Sequence, residues 1–253
     1  MFTDVFKNKK ASSSRAVILH LDGDRKYSKR AINYYNSLNL KSIVENISER
    51  NQPNEVVYLL EKYKPDILVS TGHDLMLKKG QDLYKLDNYK NSRYFVQTVK
   101  NARMWEKSEE KLIIIAGACE SFYEAIMLEG ANFASSPARI MVEYRDPLII
   151  ASKIAYTDSS KYVRMKDLLP YLKSNYNGMG GTKARGKKNP LSKWQKIVML
   201  HFCNINVKQK KRKHEKTWKY WNKAKKRLLK ICYIFDKKRP EWYTKPIKNE
   251  VGD

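Results

Sequence analysis

The sequence is poor in cysteine, in acidic residues and in long apolar runs, and each shortage narrows what the chain can be. Three cysteines in 253 residues, Cys119, Cys203 and Cys232, are too few and too scattered for a disulfide framework, which points to a reducing interior. No run reaches the ~18 apolar residues that a membrane-spanning helix needs. The opening MFTDVFKNKKASSSR has no apolar core of the kind a secretory signal requires. Asp and Glu number 26 against 51 Lys and Arg, a net charge of +25. The excess is uneven: residues 187–253 hold 21 basic and 5 acidic residues, net +16, and residues 1–186 hold 30 and 21, net +9. A tail this basic favours polyanions, either nucleic acid or an acidic protein surface.

What the sequence has is a core: 42% of its residues are apolar. Short apolar runs alternate with segments of helical spacing. AVILHLD (16–22) ends in the turn Asp22-Gly-Asp24, and RKYSKRAINYYNSLNL follows with Ala31, Tyr34, Tyr35 and Leu38 at helical intervals. LKSIVENI (40–47) reads as a strand, and PNEVVYLLEKYK as a helix opened by Pro53. ILVS before Thr71-Gly-His73-Asp74, a helix over 91–106, the strand LIIIAGAC (112–119) and the helix ESFYEAIMLEG continue the pattern. MVEY (141–144) reads as a further strand, DPLIIASKIAY and MKDLLPYLK as helices, the second interrupted by Pro170. NGMGGTKARGKKNP (177–190) reads as a linker, and the tail beyond it as partly helical. The alternation predicts an α/β domain over 15–186, a mainly parallel sheet flanked by helices. A short arm (1–14) precedes it and a basic extension (187–253) follows it.

In such sheets the working residues lie past the carboxyl ends of the strands. Cys119 falls there, ahead of a helix whose N-terminus favours a thiolate, with Gly117 and Ala118 leaving room for a substrate backbone. His73 ends a second strand and can take a thiol proton and return it to a leaving amine. A lone cysteine is more often a small core residue, and a lone histidine more often caps a turn. Both at strand ends of one sheet is a rarer coincidence. Histidine upstream and cysteine downstream by 46 residues resembles the order and spacing of caspase-like cysteine peptidases, in which ILVSTGHD and LIIIAGAC match the two apolar blocks. Those peptidases place glycine after the histidine. Here Gly72 precedes it and Asp74 follows, so the Asp74 amide, with that of Cys119, is the expected oxyanion donor.

VILHLDGD, YKPDILVSTGHD, LIIIAGACESFYEAI and GANFASSPARI, in this order, resemble the YabG family of sporulation-specific proteases over residues 15–186. The resemblance implies a cysteine endopeptidase with Cys119 as nucleophile and His73 as base, without a cofactor or metal. It implies spore coat and other spore proteins as substrates, in the mother-cell cytoplasm and the spore coat of an endospore-forming bacterium, and cleavage after basic residues. Members of the family usually carry a further N-terminal region, and the basic tail is not their usual ending. An arginine-accepting S1 pocket needs acidic side chains near the strand ends, and Asp22 or Asp24 fits that place. Cleavage of the chain's own loops at Arg15, Arg185 or in the tail is a further expectation. Arg139 is expected to bind an internal carboxylate, Glu120 to sit near the helix N-terminus without a catalytic role, and His20 to be packed. His201 and Cys203 have no second pair to complete a zinc pattern.

Two other readings stand beside this one. ILHLDGD is similar to the start of haloacid-dehalogenase-type phosphatases, with Asp22 as nucleophile and Asp24 beside it, although Arg25-Lys26 departs from that pattern. Alternatively, basic residues interleaved with Trp194, Trp218, Tyr220 and Trp221 could hold phosphates and stack bases, making polyanion binding the main task.

Overall fold

A computed structural model describes residues 16–77 and 82–188. The chain divides after residue 190, and every described residue belongs to the first part. The expectations placed on Arg15, His201, Cys203 and the aromatic residues of the tail lie outside the described residues.

The strands form where short apolar runs allow burial on both faces. β1 (Val17–Asp22), β3 (Ile67–Thr71) and β4 (Ile113–Ala116) are almost wholly buried, as parallel strands covered by helices must be. With β2 (Lys41–Asn46) and β5 (Phe133–Ser135) they make a parallel array, closed by antiparallel β7 (Met179–Gly181), in the order β2-β1-β3-β4-β5-β7. The α/β class is therefore the observed one.

Along β4 successive side chains alternate between two cores. Ile113 and Ile115 face α1 (Arg25–Ser37) and α5 (Arg145–Tyr156), while Ile114 and Ala116 face α2 (Gln52–Tyr63) and α3 (Ser92–Trp105). Each buried isoleucine contributes roughly 1.5–3 kcal/mol. Asp24 starts α1 by accepting the N–H groups of Lys26 (2.6 Å) and Tyr27 (3.1 Å). Pro53 lies in the first turn of α2, where its missing N–H costs nothing, and Lys64 ends that helix in a left-handed conformation.

Several expectations are corrected. β4 stops at Ala116, three residues before Cys119, and α4 (Tyr123–Leu128) starts only at Tyr123. Cys119 thus lies in a turn, and the helix-terminus argument for it does not apply. MVEY is irregular backbone, and the strand that neighbours β4 is β5, which lies earlier in the chain and whose three residues are too few to show a period. The segment taken for a linker carries β7 and β8 (Lys183–Arg185). Its glycine content reflects close packing: a Cβ at Gly180 would come within 2.6 Å of the Tyr123 hydroxyl. β8 pairs with β6 (Tyr162–Arg164) in a separate two-stranded sheet.

The remaining pieces are short. They comprise α6 (Met165–Leu168), a 3-10 turn (Leu169–Tyr171) in which Pro170 ends the helix as expected, and α7 (Asn175–Gly178). Arg185, expected in a loop, is held on β8 with its guanidinium on Glu110 (2.7 Å) and the Ser159 carbonyl (2.8 Å).

Candidate active site

The sheet register brings His73 and Cys119 to equivalent places. β3 and β4 are adjacent and parallel, with Ser70 opposite Ala116, and the Gly117 N–H bonds the Ser70 carbonyl (3.0 Å). His73 and Cys119 each follow that matched pair by three residues. Two chains leaving the same edge at the same level bring an imidazole and a thiol to one end of the sheet.

The Cys119 turn is fixed from several sides. The Ala118 N–H donates to the Ser121 hydroxyl (2.9 Å), which donates to the Asp74 carboxylate (3.0 Å). The Glu120 N–H donates to the Ile140 carbonyl and to the Ser136 hydroxyl (both 3.1 Å). Glu120, expected near the helix N-terminus, lies in the turn ahead of α4 and accepts the Met76 N–H on its side chain (3.1 Å). Cys119 itself is half-buried, and the Val142 N–H points at Sγ (3.3 Å). Among the described residues the Cys119 and Asp74 backbone N–H groups meet no protein acceptor. An oxyanion site is built from N–H groups left without a protein acceptor.

Asp74 does more than offer an amide. Its buried carboxylate accepts from the Ser92 hydroxyl (2.5 Å), the Asn91 N–H (2.7 Å), the Leu75 N–H (2.9 Å) and Ser121. Burial nevertheless holds this carboxyl above its ordinary pKa, although all four hydrogen bonds pull the other way. Asp74 thereby ties the His73 loop to the start of α3 and to the Cys119 turn.

His73 is the exposed member, with 59% of its side chain open to solvent. Its backbone is pinned at both ends: the N–H donates to Glu49 Oε1 (2.6 Å) and the carbonyl accepts from Asn91 Nδ2 (2.8 Å). Nε2 lies 3.8 Å from Asp24 Oδ2, Nδ1 lies 3.9 Å from Glu49 Oε1, and the Tyr27 ring is 6.0 Å away.

The two acids at the end of β1 differ. Asp22 is buried, and its oxygens accept the Asp24 N–H (2.7 Å) and the Thr71 hydroxyl (2.8 Å). Each oxygen thus accepts one hydrogen bond from within the domain, and Asp22 braces the turn. Asp24 spends Oδ1 on capping α1 and turns Oδ2 toward His73. His20 is packed below them, between the Tyr35 hydroxyl (3.1 Å) and Thr71 Oγ1 (2.8 Å). Arg139 binds the Glu124 carboxylate and the Tyr89 hydroxyl, the internal role expected of it.

The family model for the YabG peptidase U57 matches residues 3–191. The chain belongs to the YabG peptidase family. The sporulation-specific protease YabG of Bacillus subtilis (strain 168) is 37% identical over 169 residues, covering 67% of this chain and 58% of that relative. This chain thus matches less than two thirds of the relative's own length. The YabG family match begins twelve residues before the expected start at residue 15 and ends at residue 191, so most of the basic tail lies outside it. Within the matched region, sequence reading missed Glu49, Ser92 and Ser121. Glu49 was within reach of the strand-end rule, since it follows β2 in the polar stretch NISERNQPN. The two serines sit in helical or turn sequence with nothing local to mark them.

Proposed function

We propose that this YabG family member is a cysteine endopeptidase that cleaves after Arg or Lys. His73 takes the Cys119 proton, and the sulfur attacks the scissile carbonyl carbon. The carbonyl oxygen, now negative, is held by the Asp74 and Cys119 N–H groups. The C–N bond breaks, and the amine leaves with the proton from His73. Water, deprotonated by His73, then hydrolyses the thioester and regenerates the thiol. No step calls for a cofactor. Asp24 pairs with the P1 side chain through Oδ2, and Asp22 braces the turn beneath it.

The observation that supports this reading is the matched register: His73 and Cys119 each follow the paired residues Ser70 and Ala116 by three positions, and among the described residues the Asp74 and Cys119 N–H groups meet no protein acceptor. By family resemblance the substrates are spore coat and other spore proteins, met in the mother cell and in the coat. Among the described residues no helix is long and apolar enough to cross a membrane. For self-cleavage, a cut at Arg185 requires β8 to leave its partner strand. The test is a digest of an unfolded Arg- and Lys-rich protein, with new termini read by mass spectrometry. Wild type is expected to generate termini after basic residues and Cys119→Ala none. Equal cleavage by both removes the proposal.

A further inference from the structure

Glu49 stands on the loop between β2 and α2, outside every motif of the peptidase reading. In a chain with 51 Lys and Arg, its carboxylate has no Lys or Arg partner among the described residues. The side chain is only 13% exposed, and such a group needs compensation where it is buried. What it meets is His73: the backbone N–H at 2.6 Å and ring Nδ1 at 3.9 Å, both from Oε1. The backbone is cut away to admit it. A Cβ on Gly23, in the turn after β1, would come within 2.2 Å of Oε1, and so would one on Gly72, beside His73. Two strand-end turns thus carry glycine where this carboxylate passes.

From this geometry we infer that Glu49 is the positioning residue of the site: it fixes the His73 loop and stabilises the imidazolium formed when the Cys119 proton is taken. This inference rests on the peptidase reading and adds a division of labour among the acids. Glu49 faces Nδ1 and serves the base, whereas Asp24, across the ring near Nε2, serves the substrate. Among the described residues, the ionisable side chains in contact with the His73 ring are Asp24 after β1, Tyr27 on α1 and Glu49 after β2. Both carboxylates lie near the ring and lower the energy of a positive charge forming there during the reaction, but only Glu49 also holds the His73 backbone N–H (2.6 Å).

The experiment compares wild type, Glu49→Gln, Glu49→Asp, Gly23→Ala, Asp24→Asn, His73→Ala and Cys119→Ala. Two readouts are used, with thermal melting as the folding control. One is kcat and KM on an Arg peptide. The other is the rate of iodoacetamide alkylation of Cys119 between pH 5 and 9, read on its own tryptic peptide. Glu49→Gln can still accept the His73 N–H but carries no charge, so it separates the charge from the hydrogen bond. It is expected to lower kcat by roughly 10-fold or more with KM little changed, and to slow alkylation on the acid side of neutrality. Glu49→Asp is expected to recover part of both losses. Gly23→Ala, which displaces the carboxylate without removing it, is expected to reproduce the Glu49→Gln pattern. Asp24→Asn is expected to act mainly on KM.

Wild-type kcat and wild-type acid-side alkylation in folded Glu49→Gln, with His73→Ala impaired in both, overturn the inference and leave the peptidase reading standing. Cleavage that survives in both Cys119→Ala and His73→Ala overturns the peptidase reading itself. The alkylation readout decides the Glu49 inference even where no peptide is cut.

Discussion

At the scale of single residues, burial separates carboxylates that the sequence leaves equivalent. Asp22 and Asp24 are two positions apart at the end of one strand, and spacing gave no reason to choose between them. In the fold, Asp22 has a hydrogen bond on each oxygen from within the domain, whereas Asp24 caps α1 with Oδ1 and has Oδ2 3.8 Å from His73 Nε2; the proposed P1 contact falls to Asp24. Asp24→Asn should therefore lower kcat/KM on Arg substrates about 10-fold to 100-fold while leaving the melting temperature nearly unchanged. Asp22→Asn should instead destabilise the domain by roughly 1–3 kcal/mol, because a buried acceptor of two hydrogen bonds is altered. Steady-state kinetics with Arg and Lys peptides and chemical denaturation check the pair. Equal effects of the two substitutions on both quantities would contradict the assignment.

At the scale of elements, the site depends on loops that cross from one strand end to the next. Asp74 ties its own loop to the start of α3 and to the Cys119 turn, where Ser121 passes on its hold. Ser121→Ala removes the acceptor of the Ala118 N–H and should lower kcat/KM on a peptide substrate more than it lowers stability, for which a loss of about 1 kcal/mol is expected. Asp74 also sets a pH dependence. Its carboxyl binds its proton more tightly folded than unfolded, so folding takes up a proton there. The stability it contributes is fully present below the ordinary carboxylate value near 4 and is lost as pH rises through the raised value. Wild type should therefore hold its largest advantage in melting temperature over Asp74→Asn at about pH 4, and the gap should shrink toward neutrality. A gap that widens with pH would contradict this.

Elements also differ in how far the sequence announces them. β1, β3 and β4 are legible because buried parallel strands read as continuous apolar runs, and α1 to α3 because they repeat at helical spacing. β5 and β7 are not, being three residues each and held by pairing and by close contact at Gly180 more than by their own pattern. The sequence places His73 and Cys119 at strand ends, whereas in the fold each lies three residues beyond the paired Ser70 and Ala116. Glu49 was harder to see, because its role arises from a contact 24 positions away across the sheet's edge.

At the scale of the whole molecule, the charge is the dominant feature. A net charge of +25 makes binding of polyanions an expectation separate from the chemistry at the sheet's edge. Nucleic acid or an acidic polypeptide should bind with an affinity that falls steeply with salt, and should slow cleavage of a protein substrate at low ionic strength. Cleavage of a short neutral peptide carrying one Arg should be nearly independent of salt between about 50 and 200 mM. Parallel titrations in salt check this. A steep salt dependence for the short peptide would mean that the charge acts at the site itself.

The central claim, that Cys119 is a nucleophile served by His73, is tested most directly with a peptidyl-arginine chloromethyl ketone and intact-mass analysis. Wild type is predicted to gain one inhibitor mass, located on the peptide containing Cys119, and to lose cleavage in proportion. Cys119→Ala should gain none, and His73→Ala should react far more slowly. Labelling at Cys203 or Cys232 with Cys119 untouched, or full cleavage activity after stoichiometric labelling of Cys119, would contradict the account.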